Sequence, residues 1–168
     1  MSTHSIFYPI ITGENNPILR KKSAPIQEFT PEIEEFAEIL LELMYEYDGI
    51  GLSAPQLGQN IRMIAVTDWR ETKGKKDRKG NPKRTLIGEQ VLVNPEILEF
   101  SKTTQVNEEG CLSVPNAFGN VRRSTGVKVK YSTPQGKSIT KKFSGRNAIV
   151  IQHEIDHLDG ILFIDKLV

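Results

Sequence analysis

Cysteine is nearly missing from this sequence. Cys111 is the only one among 168 residues, so no internal disulfide can form, and such a chain fits a reducing, cytoplasmic setting. Long apolar runs are missing as well. The patch Ile6-Phe7-Tyr8 is broken by Pro9 and has no cationic leader, and no stretch is long enough for a signal peptide or a membrane helix. No membrane partner is expected. Neither sign of charge dominates, with 22 Lys and Arg against 21 Asp and Glu for a net charge of +1, and DNA is not expected as a partner. Repeats and low-complexity linkers are absent, and a chain of this length buries most of its unfolded surface without disulfides or oligomerisation. One domain over residues 1–168, acting as a monomer, is the expectation.

Histidine is also scarce, yet two of the three residues stand four apart in His153-Glu154-Ile155-Asp156-His157. On a helix of 3.6 residues per turn, positions i and i+4 lie one above the other, so both rings reach one cation while Glu154 flanks it. A lone buried histidine is more often a hydrogen-bonded core residue. Two at this spacing, on a segment made apolar on several sides by Ala148, Ile149, Val150, Ile151, Ile155 and Leu158, read instead as metal ligands.

The eleven residues after His157 contain no histidine, glutamate or cysteine, and the third histidine of the extended metalloprotease pattern would fall on Phe163. A third ligand therefore comes mostly from upstream. His4 and Cys111 are the choices there, with Asp165 a weaker one downstream. Cys111 is favoured because Gly110 precedes it, and a glycine beside a thiolate lets the backbone approach a metal closely. Two imidazoles and a thiolate leave a coordination position for water, the layout of a hydrolytic site.

Charge is unevenly spread. Between Arg70 and Arg84, eight basic side chains face only Glu71 and Asp77, a local charge of +6. Clustered cations neutralise nucleic-acid phosphates, but Gly74, Gly80 and Pro82 and the lack of aromatics beyond Trp69 favour a solvated basic surface loop at 70–84. Thr30 is placed to cap a helix starting at Pro31, with Glu32, Glu34 and Glu35 near its positive end. Ile33, Phe36, Ala37, Leu40, Met44 and Tyr47 share one face of that helix, which stops at Asp48-Gly49. Short runs at Met63–Val66, Val91–Val93, Val127–Tyr131 and Ser138–Phe143 read as strands, the last two joined by the turn Thr133-Pro134-Gln135-Gly136. A second helix over roughly Asn147–Asp159 carries the histidines and ends near Gly160. The expected fold class is α+β: mainly antiparallel strands packed around a buried C-terminal helix carrying HExxH, with an N-terminal amphipathic helix.

Gly49 to Ala54 also fits the dinucleotide pattern G-x-G-x-x-A. A helix rather than a strand precedes it, and Pro55 falls where the following helix should be under way, so that reading fails.

Three segments, Gly49-Ile50-Gly51-Leu52-Ser53-Ala54-Pro55-Gln56, Glu109-Gly110-Cys111-Leu112-Ser113 and Gln152-His153-Glu154-Ile155-Asp156-His157-Leu158, resemble the three signature segments of the peptide deformylases, in that family's order. The resemblance covers essentially the whole chain. It implies a metal-dependent hydrolase that removes the N-formyl group from the N-terminal formylmethionine of newly made polypeptides and releases formate. One divalent ion per chain would be held by Cys111, His153 and His157. The resemblance favours Fe(II), while the donor types also suit Zn, Ni or Co. Glu154 would move protons, and the Gln56 amide with the Leu112 backbone N–H would stabilise the oxyanion.

The resemblance further places Ile50, Gly51, Leu52, Glu109, Ile149 and Val150 at the substrate, with the peptide extended beside residues 50–52 as an added strand. Methionine's side chain would enter between Ile50, Ile149, Val150 and the His153 ring. Asn107 and Arg146 stand where the family often has apolar residues, and Phe118 where it often has arginine. The expected partners are N-formylmethionyl peptides and nascent chains, and the basic tract is the one candidate for a transient ribosome contact. A general zinc peptidase leaves Cys111 and Gln56 unexplained, and a closed structural zinc site lacks a second cysteine.

Overall fold

The computed structural model describes residues 8–76, 80 and 82–168. After a single helical turn, α1 (Pro17–Arg20), comes α2 (Pro31–Glu46). A strand β1 (Gly51–Ser53) leads into a 3-10 turn at Ala54–Leu57, and then follow β2 (Met63–Lys76), β3 (Pro82–Phe100), β4 (Thr104–Cys111), β5 (Val114–Ser124), β6 (Gly126–Ser132) and β7 (Ser138–Ser144). The last elements are α3 (Gly145–Leu158) and a 3-10 turn at Phe163–Lys166. All named pairings are antiparallel. Five strands form one sheet in the order β1-β2-β3-β6-β7, and β4 pairs with β5 in a second sheet.

Alternation along β2 explains its unbroken apolar run. Met63 and Ala65 point to one face of the sheet, where they join Leu52, Val91 and Val93 under Phe36, Leu40, Leu43 and Met44 of α2. Ile64 and Val66 point to the other face, where Leu92, Val127, Val129 and Phe143 pack against Ala148, Ile151, Ile155 and Leu158 of α3. A strand buried on both faces has no polar register to keep. The sheet is thus sandwiched between the two helices, and α3 is covered on its far side by β4 and β5.

Two side-chain amides lock α3 in place. Asn147 accepts from the Trp69 N–H (3.0 Å) and donates to Trp69 O (2.9 Å) and Asp68 (2.7 Å), tying the first turn to β2. Gln152 pairs with both backbone groups of Ser124, tying the middle to β5. The helix ends as Gly160 predicts: with φ +73 there, Gly160 N–H donates to His157 O and Ile161 N–H to Asp156 O.

Several expectations change. Thr30 sits at the N-cap of α2, but its side chain makes no capping hydrogen bond. The left-handed residue closing α2 is Asp48 (φ 55), whose N–H donates to Tyr45 O while Gly49 N–H donates to Met44 O. The sequence reading missed β1, β4 and β5, and it confined β3 to three of its residues. The basic tract is not a loop over most of its length. Arg70–Lys76 and Pro82–Arg84 are strand residues of one long hairpin, with Arg70 opposite Thr85 and Glu71 opposite Arg84; residues 77–79 and 81 lie outside the described residues. Ladder hydrogen bonds and the Glu71–Arg84 ion pair (3.1 Å) hold a ribbon that its glycines and charges argued against.

Candidate active site

Three elements converge on one point. Cys111 ends β4, His153 and His157 project from α3, and the three donor atoms lie within 4.8 Å of one another. Cys111 Sγ is 3.2 Å from His157 Nε2. Among the described residues no other such cluster exists. Asp165 is occupied elsewhere, bound to Arg20 at 2.5 and 3.1 Å and to the Leu162 N–H, and His4 lies outside the described residues. One thiolate and two imidazoles suit a borderline divalent cation.

Behind the cluster stands a chain of buried charge that sequence reasoning missed. His153 Nδ1 is 2.8 Å from Glu109 Oε2, which leaves its Nε2 for the cation side. Both Glu109 oxygens also accept from Arg123, at 2.8 and 2.9 Å. Arg123 in turn bonds Asp156, which bonds Lys166 at 2.8 Å. Arg123 is only 3% exposed. No local pattern announces it, because β5 brings it to Glu109 from fourteen residues away. Glu109 borders the cleft, and its carboxylate also holds the His153 ring. Burial alone would raise the Glu109 pKa; the Arg123 and His153 hydrogen bonds outweigh it and hold it at about 2. Burial likewise opposes a charge on His153, yet its bonds to Cys111 and Glu109 raise it to about 10. His157 is pushed well below its ordinary value by burial and by the His153 charge beside it.

Glu154 lies on the cleft wall beside this cluster. It is buried, its Oε2 has no hydrogen-bond partner among the described residues, and burial pushes its pKa up to about 7. Gly51 is explained by the same carboxylate: a Cβ there would come within 2.5 Å of Glu154 Oε1 and 2.8 Å of Val150. The glycine before Cys111 lies under the Phe118 ring, which is 2.7 Å from where a Cβ would stand.

Gln56 is held as a donor. Its carbonyl accepts from the Ser53 N–H and Oγ, both at 2.9 Å, which turns the amide nitrogen toward Cys111 Sγ (3.5 Å) and Ser113 Oγ (3.2 Å). Ser53 therefore fixes the amide orientation through the capping-box spacing S-x-x-Q, a local signal that the sequence reading passed over. Leu112 borders the cleft in the tight turn from Cys111 to Val114.

The cleft holds about 980 Å³ and is bordered by Ile50, Gly51, Ile149, Val150, His153 and Glu154. Its edge is β1. Ile50 O accepts from Thr67 N–H at 3.0 Å, so by antiparallel alternation Ile50 and Leu52 pair with β2 while the main-chain groups of Gly51 face away from it. The Leu52 side chain is fully buried under α2, and its main-chain groups pair with β2.

The sequence profile of the polypeptide deformylases matches residues 8–168. Among curated proteins, the chain is similar to peptide deformylase of Thermotoga maritima, with 39% identity over 152 residues covering 90% of this chain and 82% of that one. It is similar to peptide deformylase 2 of Gloeobacter violaceus, with 41% identity over 150 residues covering 89% and 74%. Among solved structures, peptide deformylase from Thermotoga maritima superposes with a TM-score of 0.81 at 37% identity, covering 96% of this chain and 97% of that one. The Met-Ala-Ser-bound class I type b peptide deformylase from Acinetobacter baumannii gives 0.83 at 37% identity, covering 95% and 98%. The match runs through every element that builds the Cys-His-His cluster, and this chain belongs to the polypeptide deformylase family.

Proposed function

We propose that this protein is a metal-dependent hydrolase that removes the N-formyl group from formylmethionyl peptides and nascent chains, releasing formate. The observation that carries the reading is Glu154: a buried carboxylate with an oxygen unpartnered among the described residues, on the helix that supplies two of the three donors of the Cys-His-His cluster. Cys111, His153 and His157 hold the ion, and Fe(II) is the occupant we assign, with Zn, Ni and Co as substitutes. A divalent cation bound there supplies Lewis acidity toward water and the formyl carbonyl.

The chain's own groups do the rest. Glu154 Oε2 takes the proton of the attacking water, and its pKa near 7 lets it return that proton to the departing amine at neutral pH. The Gln56 amide, fixed by Ser53, donates to the oxygen of the formyl carbon as negative charge develops there, together with the Leu112 backbone N–H. Glu109 keeps the His153 ring in one orientation. The peptide lies along β1 and pairs with the outward-facing main chain of Gly51, and its first side chain enters between Ile50, Ile149 and Val150. The deciding experiment is formate release from a formyl-Met-Ala-Ser peptide by protein loaded anaerobically with Fe(II) or Ni(II). Cleavage of the unformylated peptide instead would identify a general peptidase.

A further inference from the structure

Alternate residues of β4 point to the same face, so Gln105, Asn107 and Glu109 form a row along the cleft. Opposite them, Arg146, Ile149, Val150 and His153 share one face of α3 at i, i+3, i+4 and i+7. Glu109 meets His153 at one end of this passage. Arg146 stands two helical turns away, about 10 Å along the axis. The cleft wall is therefore apolar beside the histidine and polar toward Arg146.

Two donors in that polar part have no protein acceptor among the described residues. Asn107 Oδ1 accepts from Gln105 Nε2 at 2.9 Å, while Asn107 Nδ2 is buried with no partner. The Arg146 guanidinium lies over the Trp69 ring, 5.3 Å from its centroid, and the charge that acts on it is the like charge of Arg84. A buried donor without an acceptor is costly, and a ligand that brings one is favoured. Methionine's thioether is a weak acceptor, and a hydrocarbon of the same length has none. A sulfoxide on the methionine skeleton carries a polar oxygen able to accept from such donors.

We infer, resting on the deformylase reading, that this pocket selects a first side chain tipped with an oxygen acceptor, methionine sulfoxide being the fitting class, through Asn107 and Arg146. Sites that hydrogen-bond a substrate group reject analogues lacking it far more strongly than apolar pockets reject an added polar atom. Apolar methionine is still accommodated beside Ile149 and Val150.

The test uses metal-loaded protein and three tripeptides, Met-Ala-Ser, its sulfoxide and its norleucine analogue, each also in N-formyl form. Binding of the free tripeptides is followed by the emission of Trp69, the only tryptophan in the chain, and the formyl peptides give kcat/KM. The sulfoxide should exceed norleucine by about tenfold or more in both measurements. Asn107→Leu and Arg146→Leu should each bring that ratio to within about threefold, and Arg146→Lys should retain part of it. Should Asn107→Leu fail to fold, Arg146→Leu on the cleft wall carries the comparison. Norleucine equal to the sulfoxide in the native protein, or a ratio unmoved by Arg146→Leu, overturns the inference. Cleavage of formyl-Met and formyl-norleucine with rejection of the sulfoxide also removes it while leaving the deformylase reading intact. Preferential binding of the sulfoxide without cleavage of any formyl peptide has the opposite meaning: the pocket assignment stands and the deformylase reading falls.

Discussion

Cys111, His153 and His157 provide three donors with none in reserve, so single changes at this scale separate holding a metal from using it. Cys111→Ser and His157→Ala should lose stoichiometric metal on desalting, as measured by elemental analysis. Glu154→Gln should keep the metal and the fold while turnover drops by about 10²–10⁴, because the carboxylate moves protons without binding the ion. A metal-free Glu154→Gln protein would make Glu154 a ligand. Gly51→Ala tests the packing of the same carboxylate. Its methyl would sit 2.5 Å from Glu154 Oε1 and 2.8 Å from Val150, so both stability, by about 1–3 kcal/mol, and turnover should fall. An alanine variant with native turnover would show that Glu154 has room to move.

At the scale of elements, the helix ends decide how α2 and α3 present the site. Gly160 closes α3 with a glycine in the left-handed region, whereas α2 closes with Asp48 in that conformation. Asp48→Gly should therefore raise unfolding free energy by roughly 0.5–1 kcal/mol, the left-handed strain relieved less the added entropy of the unfolded chain. Denaturant titration reads this directly, and a loss of stability would mean that the Asp48 carboxylate contributes a contact worth more than the strain. The β2–β3 ribbon beyond the sheet is the other element with its own prediction. Replacing Lys73, Lys75, Lys76 and Lys83 by glutamine should leave turnover of a short formyl peptide unchanged within about twofold, since exposed charges act weakly through screened solvent. Loss of low-salt co-sedimentation with ribosomes in the same variant would assign those lysines to RNA phosphates.

Across the whole molecule, the ion-pair row Glu109, Arg123, Asp156 and Lys166, buried at Glu109 and Arg123 and exposed at Lys166, joins β4, β5, α3 and the final 3-10 turn. Arg123→Leu should cost about 3–5 kcal/mol, because it leaves the buried Glu109 carboxylate with His153 as its one remaining side-chain partner among the described residues. The same row sets an acid limit. Glu109 is held at about 2 against an ordinary 4.5, so the stability it contributes is complete above about 4.5 and drains away as pH falls toward 2. Unfolding free energy measured across that window should fall more steeply in the native protein than in Glu109→Gln. Equal slopes would show that the carboxylate is not held down by Arg123.

The sequence alone settled what depends on short separations. The i, i+4 histidines with Glu154 between them, the apolar face of α2 and the glycine that ends α3 are all local, and helical geometry carries each one directly to structure. Cys111 was legible by elimination, because so few other ligands exist. Tertiary structure decided what local sequence does not encode. Arg123 and Glu109 are ordinary charged residues until β5 folds back on β4. The ribbon at 70–84 looked like a loop because its side chains are solvated, while its strand character lies in backbone ladder bonds that composition does not show. Gly51 is the sharpest case: its lack of a side chain is visible in the sequence, but the reason is a carboxylate more than a hundred residues away, brought there by the packing of α3 against β1. Long-range register and packing, rather than local preference, fix such contacts.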